Sequence, residues 1–147
     1  MKVLVLNGAN LNLLGIREPD IYGRETYADM VRITSEKAVE LGIEVAFEQS
    51  NHEGALVDAI QKAYFDGLDG IVFNPGAYTH TSIAIADAVK GVALPTVEVH
   101  VSDVDAREPY RQVSYIREVS VATVSGKGIR GYCEALEILK QYLEAHR

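Results

Sequence analysis

The chain has 147 residues, a hydrophobic content of 48 % and a formal net charge of −7. That length suits a single domain, residues 1–147, with a sizeable core, and the hydrophobic content excludes a disordered chain. The acidic balance argues against nucleic acid as a partner, and apolar runs of strand length argue against a membrane span.

The first apolar run, "KVLVLN", reads as a strand buried on both faces. No small-residue cleavage site follows it, so it does not read as a signal peptide. A helix is expected from about Thr26 to Gly42, opened by the capping-box-like "TYAD" and stopped by the glycine. "IEVAFEQ" is a second strand, and "EGALVDAIQKAYFDG" a second helix with Ser50 or Asn51 as its cap. "GIVFN" is a third strand, and a third helix runs roughly from Thr81 to Lys90, with Thr79 and Thr81 read as caps. "PTVEVH" is a fourth strand, followed by a polar segment, Ser102 to about Ser114, with room for a short helical turn. "VSVATVSG" is a fifth strand, and a last helix starts near Gly131 with Leu136, Leu139 and Leu143 on one stripe. Strands alternating with helices imply right-handed crossovers and an α/β fold, its parallel sheet covered on both faces. Five strands favour the flavodoxin-like order 2-1-3-4-5. Cys133 is alone, so neither an intramolecular disulfide nor a cysteine zinc site is possible, which points to a reducing, cytoplasmic setting.

In such a sheet, ligands sit beyond the carboxyl ends of the strands, where the strand order reverses. The polar residues are concentrated there. Strand one leads into "NGANLNLLGIREPDIYG", strand three ends in Asn74 and leads to His80, and strand four carries Glu98 and His100 ahead of Ser102, Asp103, Arg107 and Arg111. Glu98 and His100 are two residues apart, so they share one side of their strand. A carboxylate in that place holds the ring and favours its charged form. Plainer readings exist for single residues: Asn7 and Gly8 as turn residues, Asn10 and Asn12 as loop braces, His52 and His80 as helix-start residues. "GKGIRG", Gly126 to Gly131, matches a dinucleotide-binding pattern, but the chain ends before the acid-bearing strand that this fingerprint needs. A tight turn under a closely packed helix is the better reading. No Walker loop and no metal-ligand spacing is present in the sequence.

"NGANLNLLGIREPDIYG", "QSNHEG", "FNPGAYTHTS" and "EVHVSDVDAREPYR", four motifs in order along nearly the whole chain, resemble the type II 3-dehydroquinate dehydratases. The resemblance implies a flavodoxin-like fold, trimers assembled into dodecamers, and dehydration of 3-dehydroquinate to 3-dehydroshikimate without cofactor or metal. That reaction serves the shikimate pathway or quinate catabolism. It needs a base, a stabiliser for the enolate and an acid for the leaving oxygen. By resemblance, Tyr22 is the base, acting as tyrosinate. A free tyrosine loses its proton only near a pH of roughly 10, so Arg17 in the same loop is expected to stabilise the anion. Asn10 resembles the residue that places a water against the enolate oxygen. His100 resembles the general acid, with Glu98 holding its ring. Asn74 resembles the carboxamide that binds the substrate carboxylate, together with Ser102 and backbone N–H groups after strand four, Val101 among them. His80 and Arg111 resemble the groups on the ring hydroxyls, and Arg107 matches an arginine of an "ARE-x-(F/Y)-R" segment. Asp87 matches an acid that reaches a neighbouring subunit's site. The loop from Gly15 to Gly23, broken by Gly15 and Pro19, is expected to be an irregular lid.

The chain departs from the family pattern at several places. Ala9 stands where most members have proline, Asp103 where asparagine is usual, Asp105 where histidine is common, Pro109 for an acid, and Gln112-Val113 for a basic pair. These changes imply a more acidic rim with the reacting groups intact. Two other readings fit the pattern: a non-catalytic flavodoxin-like binding or receiver module, and a family-like scaffold with altered or lost substrate specificity.

Overall fold

The computed structural model describes residues 1–147. In chain order it contains β1 (Lys2–Asn7), α1 (Pro19–Tyr22), α2 (Tyr27–Leu41), β2 (Glu44–Gln49), α3 (Glu53–Phe65), β3 (Gly70–Asn74), α4 (Ile83–Val92), β4 (Thr96–His100), β5 (Ala122–Ser125) and α5 (Gly131–Ala145). The strands form one parallel sheet in the order β2-β1-β3-β4-β5. The flavodoxin-like order expected from the five apolar runs is the observed one.

The alternation of side chains along each strand divides the core into two layers. Val3, Val5, Val72, Val97 and Val99 face α2 and α5, where Met30, Tyr132, Leu136 and Leu139 cover them. Leu4, Leu6, Ile71 and Phe73 face α3 and α4 and meet Leu56, Ile60, Ile85 and Val89. The central strands β3 and β4 are buried along their whole length, which is why they carry no polar residue before their carboxyl ends except Thr96 and Glu98. No helix is long and apolar enough to cross a membrane.

Local chemistry sets the helix ends. Thr26 caps α2 through a complete capping box: its hydroxyl accepts the Asp29 N–H at 3.1 Å and the Asp29 carboxylate accepts the Thr26 N–H at 2.9 Å. Gly42 ends that helix in the left-handed region, as expected. Other expectations need correction. The N-cap of α3 is His52, not Ser50 or Asn51; Ser50 instead accepts the His52 N–H at 3.0 Å, and Asn51 braces the loop after β1. The cap of α4 is Ser82, whose hydroxyl accepts the Ile85 N–H at 3.0 Å, so neither Thr79 nor Thr81 caps it. β5 is shorter than expected, because Arg117–Val119 forms a 3-10 turn before it. The loop after β1 is more regular than expected: Pro19 occupies the first turn of α1, where its missing N–H costs nothing. In the glycine-rich turn before α5, Gly131 packs its backbone against Val124 and Val99, in keeping with a structural turn.

Candidate active site

The carboxyl ends of β1, β3 and β4 open into one cleft with about 520 Å³ of free space, open on one side to solvent. Its floor is built from two turns packed backbone against backbone. Gly8 N–H donates to the Asn74 carbonyl at 2.7 Å. A Cβ on Gly8 would lie 2.1 Å from the Pro75 oxygen, and one on Gly76, at φ +64°, would lie 2.6 Å from the Ala9 oxygen. Only glycine lets the two turns meet at this distance.

Asn74 ends β3 beside Asn7 of β1 in the sheet register and is 3 % exposed. Its Oδ1 accepts the Gly76 N–H at 3.1 Å, and its Nδ2 donates to the Tyr132 hydroxyl at 2.9 Å. An amide nitrogen carries two hydrogens, so one N–H remains for a ligand. Val101 and Ser102, just past β4, line the cleft nearby.

His100 lines the cleft, with Glu98 behind it at 3.1 Å between Nε2 and Oε2. Glu98 is fully buried, yet hydroxyls surround it. Thr79 donates to its Oε2 at 2.6 Å, Ser114 donates to the same oxygen, and Thr123 donates to Oε1 at 3.1 Å. Burial alone would push this carboxyl up. The adjacent His100 ring and its charge, helped by hydrogen bonds from Ser114 and Thr79, outweigh it and hold Glu98 at about 2. Glu98 is therefore a fixed anion, and the ring nitrogen it does not engage is Nδ1.

Arg17 and Tyr22 line the same cleft. The Arg17 guanidinium lies over the Tyr22 ring, 4.5 Å from its centroid, while Arg107 Nη1 donates to the Tyr22 hydroxyl at 2.6 Å. The cation on the phenol oxygen is thus Arg107, from the segment after β4, and Arg17 stacks on the face of the ring. His80 places Nδ1 2.6 Å from the Val113 carbonyl. Burial lowers its affinity for a proton more than that contact raises it, so the ring is neutral, donates through Nδ1–H and offers Nε2 as an acceptor. Arg111 lines the cleft with Nε 2.9 Å from Glu108. Asn10 lines it from the left-handed region at φ 71°, held by its N–H bond to Asn51 at 3.0 Å.

The cleft therefore unites Asn10, Arg17, Tyr22, Asn74, His80, His100, Val101, Ser102, Arg107 and Arg111, with Glu98 directly behind. Asp87 is not brought in; it stands exposed on α4 of the same chain. Of the departures from the family pattern, Ala9 lines the cleft, whereas Asp103 is exposed with its carboxylate accepting the Asp105 N–H at 3.2 Å, and Asp105 lies 3.7 Å from Arg117. Neither acid lines the cleft. Sequence reasoning did not identify Ser114, Thr123 or Tyr132 as supports. A hydroxyl in a loop, another on an edge strand and an aromatic at helical spacing carry no local mark of the site they serve.

Comparison with known proteins adds the following. Residues 1–140 match the family model described as "Dehydroquinase class II". A 3-dehydroquinate dehydratase of Caldicellulosiruptor bescii is 54 % identical over 97 % of this chain and 99 % of that one. One from Clostridium perfringens is 48 % identical, covering 99 % of both. Among solved structures, the type II dehydroquinase of Butyrivibrio crossotus superposes with a TM-score of 0.93 at 50 % identity, covering 95 % of this chain and 97 % of that one.

Proposed function

The chain belongs to the class II dehydroquinase family, and we propose on that premise that its cleft dehydrates 3-dehydroquinate to 3-dehydroshikimate through an enolate, with Tyr22 as base and His100 as acid. The enzyme is a hydro-lyase of the kind its relatives are named for. The observation that carries the residue assignment is that one cleft holds both a phenol whose oxygen takes a hydrogen bond from a guanidinium at 2.6 Å and a histidine backed by a buried carboxylate.

Tyr22, as phenolate, takes the proton beside the ketone, and the electron pair moves onto the ketone oxygen. Arg107 stabilises the phenolate through its oxygen, and Arg17 adds positive charge above the ring. Asn10, on the rim, holds a water against the enolate oxygen. The enolate then re-forms the ketone and expels the hydroxyl group, which takes a proton from His100 and leaves as water. Glu98 keeps the ring in place and compensates its charge. The remaining N–H of Asn74, with Ser102 and the backbone at Val101, binds the substrate carboxylate. His80 accepts from a ring hydroxyl through Nε2, and Arg111 donates to another. The whole chain acts as one catalytic domain, needs no metal or cofactor, and works in the cytoplasm in the shikimate pathway. Asp87 completes the site of a neighbouring subunit in a trimer, four of which form a dodecamer. The test is direct: purified protein with a chelator and 3-dehydroquinate should develop the absorbance of the conjugated enone. No absorbance change under those conditions would remove the proposed activity and leave the scaffold reading.

A further inference from the structure

Behind the cleft floor lies a chain of polar groups that no step above uses. Asn74 donates to the Tyr132 hydroxyl at 2.9 Å, and that hydroxyl donates to Asn7 Oδ1 at 2.5 Å. Asn7 Nδ2 in turn donates to the Tyr27 hydroxyl at 3.4 Å. Asn7 and Tyr132 are 0 % exposed, and neither lines the cleft. The direction of every bond follows from one fixed group. A backbone N–H can only donate, so the Asn74 atom facing Gly76 must be the oxygen. Asn74 then presents its NH₂ to Tyr132, Tyr132 must accept, and its single hydrogen goes to Asn7. Reversing Tyr132 would set two donors against each other in a dry site, which is costly. Burial raises Tyr132 far above the usual phenol range, so it stays a neutral dipole throughout.

We propose that Tyr132, anchored by Asn7, is a positioning residue that, together with the Gly76 N–H, holds the Asn74 carboxamide so that it presents a donor to the substrate carboxylate. This rests on the reading of Asn74 as the carboxylate-binding group. Helix α5 carries Tyr132 and β1 carries Asn7, so affinity for the carboxylate depends on the packing of α5 on the sheet, away from the reacting atoms.

The experiment compares 3-dehydroquinate with its methyl ester, which lacks the anion. Acid affinity is read as KM and ester affinity as an inhibition constant, in the wild type, Tyr132→Phe, Asn7→Ala, Asn74→Ala and the Tyr132→Phe/Asn74→Ala double variant. Tyr132→Phe should raise KM for the acid roughly 5- to 30-fold, with kcat and the ester constant changed less than about threefold. Asn7→Ala, which truncates a side chain outside the cleft, should shift the same ratio in the same direction, and it carries the test if Tyr132→Phe does not fold. In the double variant, Tyr132→Phe should add nothing to the loss from Asn74→Ala. A purely structural role predicts a lower melting temperature with the acid-to-ester ratio unchanged in both Tyr132→Phe and Asn7→Ala; that result overturns the proposal. If Asn74→Ala itself leaves the ratio unchanged, the reading of Asn74 as the carboxylate group fails instead, and the proposal with it.

Discussion

At the scale of single residues, the two groups proposed as base and acid are held by unlike means. Tyr22 is held by cations and His100 by an anion. Tyr22→Phe keeps the ring against Arg17 and Arg107 and removes only the phenol oxygen, so turnover should fall ~100- to 10,000-fold with little change in ligand binding. Arg107→Ala should cost roughly 10- to 100-fold, because it removes a charge-assisted hydrogen bond from the phenol oxygen. In the Tyr22→Phe background the Arg107→Ala loss should vanish, since both build one function; additive losses in steady-state kinetics would separate Arg107 from the base. His100→Ala should lose turnover on the ~100- to 10,000-fold scale while still binding the substrate carboxylate, and near-normal kcat would refute its role as acid. Glu98 supplies a pH dependence whose sign is fixed. Its folded value of about 2 lies below the ordinary 4.5, so its stabilising effect is complete above pH 4.5 and disappears as the pH falls towards 2. Denaturant unfolding of Glu98→Gln should therefore show a deficit near neutral pH that shrinks across that window; a deficit independent of pH would show that packing, not charge, is lost.

At the scale of elements, the capping box of α2 offers the simplest check on local design. Thr26→Ala removes the side-chain acceptor of the Asp29 N–H and should cost about 1 kcal/mol by urea denaturation, without changing kcat, because Thr26 does not line the cleft. The elements also show what sequence makes legible. Asn74, His100 and Ser102 could be placed because each stands where a buried strand turns polar, and strand alternation put Glu98 behind His100. Thr79 was misread for a physical reason. A threonine shortly before a helix usually caps it, but Ser82 takes that place in α4 and frees Thr79 for the buried carboxylate. The partner of Tyr22 was out of reach in another way. Arg17 is its neighbour in sequence, and only the folding of the segment after β4 onto α1 brings Arg107, 85 positions away, to its oxygen. Tyr132 carries no mark in the sequence because most of it is core; one buried hydroxyl makes the difference.

At the scale of the whole molecule, the cleft accounts for every proposed group except Asp87, which lies on the exposed side of α4 one turn beyond the exposed Ile83. An acid and an apolar side chain presented together on one helix face suit contact with a second copy. Light scattering at micromolar concentration should show an oligomer, and a monomer alone would sink the assembly proposed above. The chain also holds eight tyrosines and no tryptophan. Its near-ultraviolet spectrum is therefore a tyrosine spectrum, with no indole band to hide the red-shifted absorption of a phenolate. Tyr132 is locked as a neutral phenol, whereas Tyr22 carries a guanidinium on its oxygen. A difference spectrum of the wild type against Tyr22→Phe, taken through a pH titration, would report the charge of a single side chain. The proposed base can be followed optically, in the unlabelled protein and without turnover.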